Sequence, residues 1–79
     1  MILQRKRKLQ QLITDLIDKL AEYRSAYVSI ERVKKLLGVK RLSQRGKGWQ
    51  KFLSEWRKQA DGSEPHASFG TKEIHLWLA

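Results

Sequence analysis

Leu9, Leu12, Ile13, Leu16, Ile17 and Leu20 recur at intervals of three and four residues, with polar side chains between them. That spacing predicts an amphipathic helix with one apolar stripe. Tyr23 is expected as its last contact. The helix begins somewhere before Leu9. If it reaches back to Ile2, the cluster Arg5, Lys6, Arg7 and Lys8 lies on its first turns. Four cations there oppose the helix dipole, so residues 1–8 are expected to fray without an anion.

The next stretch, "AYVSIERVKKLLG", changes period. Tyr27 and Val28 are strand formers and predict a short strand. Ser29 is a good N-cap, Glu31 suits a first helical turn, and Ile30, Val33, Leu36 and Leu37 form an apolar stripe. A helix of about two turns is expected, closed by Gly38. Val39 and Leu42 are apolar residues inside a basic connection and are expected to plug the core. Trp49, Phe52, Leu53 and Trp56 then share one helical face. This third helix starts either at a Ser43 cap or after Gly48. Asp61-Gly62 and Pro65 end it. In the tail, Ile74, Leu76 and Leu78 face one way and His75 and Trp77 the other. Gly70-Thr71 is a plausible hairpin turn between Phe69 and this strand.

Helix, short strand, helix, basic turn, helix, hairpin: this order, with "VKKLLGV" as the second helix, resembles the winged-helix superfamily. The resemblance covers nearly the whole chain. It implies one domain over residues 1–79, mainly α with a C-terminal β-hairpin, a three-helix winged helix-turn-helix. It also implies that Ser43 to Gln59 is the recognition helix and Gly70 to Lys72 the wing. The connection from Gly38 to Gly48 is long for such a fold if the third helix starts after Gly48, and "FGTKE" is a shorter, less basic wing than many members carry.

Length and charge sharpen the picture. A chain of 79 residues buries only about 60% of its unfolded surface, so large side chains such as its three tryptophans must supply the core. There is no cysteine, which excludes disulfides and thiolate metal sites. No apolar run approaches the roughly 18 residues of a membrane span, and nothing reads as a secretory signal. A soluble intracellular protein of the cytoplasm, nucleoid or nucleus, with no membrane partner, is expected. The net charge is +9 and the pI near 10.3. Between Arg32 and Lys58 ten cations are opposed only by Glu55. Such a one-sided field points to a polyanion partner.

The chemistry of that basic stretch follows from the wheel of the third helix. With the four large residues inward, Lys47, Lys51, Ser54 and Lys58 lie opposite and Gln50 at the edge. Lysines there would reach phosphates or guanine edges, and Gln50 could read adenine in a DNA major groove. Lys40, Arg41, Gln44 and Arg45 precede the helix. Gly46 and Gly48 either let a phosphate approach backbone N–H groups at its head or are loop glycines needing positive φ. Lys72 would hold phosphate from the wing. His66 and His75 lack partners at metal-ligand spacing, and no catalytic triad is suggested. The expectation is a non-enzymatic domain with no cofactor and no metal, binding double-stranded DNA. RNA binding remains open, as does a protein-interaction role, such as a homodimer, through Ile2, Leu3 and Trp77.

Overall fold

The first apolar stripe becomes a long helix, α1 (Ile2–Tyr23), in a computed structural model that describes residues 2–78, with side chains from residue 6 onward. Its backbone is helical from Ile2, so the described part of the basic segment expected to fray belongs to α1. Lys6, Arg7 and Lys8 are exposed. The side chains of Ile2 and Leu3, named above as docking residues, lie outside the described residues. Leu9, Leu12, Ile13, Leu16 and Leu20 are buried. Arg24 takes a left-handed φ of 65° and turns the chain into β1 (Ser25–Ser29). Ala26 and Val28 face inward and Tyr27 outward.

Ser29 ends the strand and caps α2 (Ile30–Leu37): its hydroxyl accepts from the Arg32 N–H at 3.3 Å. This is the local capping bond that makes serine a helix initiator. Val33 is fully buried, while Ile30, Leu36 and Leu37 pack against the core from its margin. Gly38 closes α2 with φ 70°, ψ 31°. The Val39 N–H reaches back to the Lys34 carbonyl at 3.1 Å. A left-handed residue here favours glycine because it carries no Cβ.

A connection over residues 38–46 leads to α3 (Lys47–Gln59). Trp49, Phe52, Leu53 and Trp56 are its buried residues. Trp49 stacks on Phe52 with centroids 4.6 Å apart and meets Phe69 edge-on at 5.1 Å. Asp61 and Gly62, with φ of 54° and 87°, then reverse the chain. The hairpin of β2 (His66–Phe69) and β3 (Glu73–Trp77) follows.

The three strands form one antiparallel sheet in the order β1-β3-β2. The fold is therefore mixed α/β, three helices and a three-stranded sheet, rather than helices with an isolated hairpin. The short strand after α1 joins the hairpin as its third member. α1 packs against α2, α3 and β1. At its far end Gln59 clamps α3 to α1, donating to the Gln10 carbonyl at 2.9 Å and accepting from the Thr14 hydroxyl at 2.6 Å.

Two expected core contacts are absent. Tyr23 is 67% exposed and Leu78 is 46% exposed. Ser25, Trp77 and His66 form the last paired row of the sheet. Leu78 lies one residue past that row and Tyr23 at the end of α1, two residues before it, although each continues an apolar pattern.

Candidate nucleic-acid interface

The inner face of α3 is fixed by its large side chains, and this decides what its outer face presents. Lys47, Gln50, Lys51 and Lys58 are exposed, while Ser54 is half-buried at the margin. From Lys47 to Lys58 this face spans about 16 Å at 1.5 Å per residue. Lys58 lies 3.4 Å from the Glu55 carboxylate, and Arg57 pairs with Glu64 at 2.7 Å. Both pairs are at the surface, where such pairs contribute little. Lys40, Arg41, Arg45, Lys47, Lys51 and Lys72 are all exposed, and among the described residues none of them forms an ion pair.

The start of α3 differs from both sequence alternatives. Neither Ser43 nor the residue after Gly48 begins it. Gly46 is the N-cap, in an extended conformation with φ −79° and ψ 162°, and no side chain caps the helix. Ser43 instead opens a tight turn, its carbonyl accepting from the Gly46 N–H at 3.0 Å. Gly48 lies inside the first helical turn.

Neither glycine has a positive φ, so the loop explanation for them fails. The idea that their missing side chains clear a path for phosphate also needs correction. A Cβ on Gly48 would meet Leu42 Cδ1 at 3.3 Å and the Val39 methyls at 3.5 and 3.6 Å. The space glycine leaves there is taken by the apolar plug of the preceding loop. At Gly46 a Cβ would come within 2.8 Å of the Ser43 hydroxyl. The glycines let the basic connection fold tightly onto the helix.

Gln44 also has a structural task. Its side-chain N–H donates to the Ala67 carbonyl at 2.9 Å, which ties the loop to the outer edge of β2. The loop holding Lys40, Arg41 and Arg45 is thus anchored by Leu42 in the core and Gln44 on the sheet. Lys72 sits at the hairpin tip, with its carbonyl accepting from the Ile30 N–H at 3.0 Å. The tip is joined to α2 through that bond. The hairpin is joined to the head of α3 through Phe69 and Trp49.

The outer face of the sheet carries a feature that sequence reasoning saw only in part. The opposite orientation of His75 and Trp77 was legible. The register adds Tyr27 and His66 beside them. Tyr27 stacks on His75 at 4.6 Å, His75 contacts Trp77 at 5.1 Å, and Trp77 stacks on His66 at 5.7 Å. The hairpin turns at Thr71-Lys72, one residue later than the expected Gly70-Thr71, with the Gly70 N–H donating to the Glu73 carbonyl at 2.8 Å, and that register brings His66 opposite Trp77. Among the described residues no group of three or more His, Asp or Glu is placed to hold a metal ion. No helix there is long and apolar enough to cross a membrane. No protein-family model, curated protein or solved structure matches the chain.

Proposed function

We propose that this protein is a non-enzymatic double-stranded DNA-binding domain that lays the exposed face of α3 in the major groove. The observation that carries the reading is the exposed cationic surface, without ion pairs among the described residues, formed by Lys47 and Lys51 on α3 and by Lys40, Arg41 and Arg45 in the loop before it. It is presented by a helix whose other side is locked in the core. A groove about 12 Å wide admits a helix of this kind. Element order and the sheet order β1-β3-β2 are in keeping with a small winged-helix-like fold. In that reading α3 is the recognition helix and residues 70–72 are the wing.

The roles divide by position. Lys40, Arg41 and Arg45 hold backbone phosphate beside the helix head, and Lys72 does so from the wing. Lys47, Gln50 and Lys51 face the groove, with Lys58 and Ser54 at its far end. Backbone N–H groups of the uncapped first turn of α3 add a partial positive charge there. Gln44 leaves the contacting set because its amide is committed to β2.

The test is a fluorescence-anisotropy titration of duplex DNA with the parent chain, Lys51→Ala and Lys47→Ala. Both side chains are exposed, so both variants keep the fold. If Lys51 holds phosphate, its removal weakens all duplexes alike and lowers the salt slope by about one. If it reads a base, discrimination at one position falls by about 1–3 kcal/mol. Parent-like binding by both variants would refute the assignment of α3. A protein-docking role has its own support in the exposed Tyr23, Tyr27 and Leu78. It requires binding to a protein partner that persists as salt rises. Preference for an RNA duplex over DNA in the same titration would redirect the reading to RNA.

A further inference from the structure

A shallow cavity of about 440 Å³ lies on the outer face of the sheet, away from the core. Tyr27, His75 and Ser68 form one wall, a single row across the three strands. The hairpin tip, with Lys72 and Glu73, forms the other. Its volume falls within the roughly 300–1,000 Å³ typical of small-ligand sites. Tyr27 is 60% exposed, so ring surface is available to a ligand. Its ring is held nearly parallel to His75, at 11°, and His75 is buttressed by Trp77 on the same strand. The stack is preorganised before anything binds.

From this arrangement we infer that the cavity takes one unpaired base of a single DNA strand. A planar base stacks on the exposed face of Tyr27, whose other face rests on His75, the sequence-tolerant mode by which single strands are held. Lys72 at the rim carries the adjoining phosphate. The Glu73 carboxylate, an acceptor only, takes an N–H from the base edge, while Ser68 supplies a hydroxyl able to donate or accept. A flat apolar partner protein would satisfy the rings but leave the Lys72 and Glu73 pair at the tip without purpose. The net charge of +9 draws a polyanion to this face as to any other. The choice of DNA rests on the reading of α3 as a duplex-binding helix, whose backbone contacts include the same Lys72. The cavity itself does not depend on it.

The experiment is an anisotropy titration of the full chain with a short labelled oligo-dT strand, a matched duplex and oligo-U. It is run on the parent, Tyr27→Ala, Tyr27→Phe and Lys51→Ala. Tyr27→Ala is expected to weaken oligo-dT binding by about 5- to 150-fold, the range for losing one stacked base. Its duplex affinity and melting temperature should stay near the parent's, and Tyr27→Phe should keep the strand affinity. Tyr27-dependent binding of oligo-dT in a chain that ignores duplex DNA would support the cavity and remove the α3 reading. Equal oligo-dT affinity in Tyr27→Ala and the parent would overturn the inference. So would selection of oligo-U over oligo-dT, or a dimer in sedimentation velocity that Tyr27→Ala dissolves without altering strand affinity.

Discussion

Trp56 shows what single side chains do in a domain this small. It is 2% exposed and packs beside Phe52, centroids 6.0 Å apart. Trp56→Ala should cost about 3–5 kcal/mol, a large share of the 5–15 kcal/mol that holds a typical domain. Urea denaturation followed by circular dichroism measures it, and an unchanged midpoint would contradict the packing. The two glycines at the head of α3 should respond in opposite senses. Gly48→Ala gains helix propensity of up to about 1 kcal/mol, while its Cβ requires the Leu42 methyl 3.3 Å away to yield by a few tenths of an ångström. Its melting temperature should rise while duplex affinity is kept, because the new methyl points into the protein. Gly46→Ala places a poor capping residue at the N-cap and crowds the Ser43 hydroxyl, so it should destabilise. A loss of DNA affinity in folded Gly48→Ala would restore the close approach of phosphate that the packing argues against.

At the scale of elements, the helices were legible because their residues state a period and an end. Ser29 and Gly38 are local signals, and each does in the fold what its chemistry suggests. Ser29→Ala should therefore cost about 1 kcal/mol in a thermal melt, and no loss would mean that packing alone holds α2. The start of α3 was not legible. Gly46 and Gly48 both read locally as opponents of a helix. What decides the matter is the insertion of Val39 and Leu42 against Gly48, a tertiary contact that no local propensity records. Tyr23 and Leu78 misled for a related reason. Their spacing matched the buried faces of a helix and a strand, but Tyr23 is the last residue of α1, two before the sheet's last row, and Leu78 lies one past it. Periodicity assigns a face and says nothing about whether a neighbour reaches it. For the candidate site, exposure of Lys47, Gln50 and Lys51 followed directly from the buried tetrad opposite. The diversion of Gln44 to Ala67 did not, because it joins residues 23 apart in sequence.

For the whole molecule the question is where the uneven charge goes. Lys47 and Lys51 on α3 and Lys40, Arg41 and Arg45 in the loop before it form no ion pair among the described residues, on a scaffold fixed by an aromatic core. If Lys40, Arg41, Arg45, Lys47, Lys51 and Lys72 each neutralise one phosphate, log K against log salt should fall with a slope of about −5. Surface attraction of a less organised kind also depends on salt, so the slope must be tied to these residues. The most direct measurement is the affinity for duplex DNA across a salt series, for the parent and for the Lys47→Ala, Lys51→Ala double variant. The expected result is a linear parent plot near that slope and a variant plot shallower by about two units. A flat parent plot, or a double variant with both the slope and the affinity of the parent, would contradict a DNA-binding role for α3.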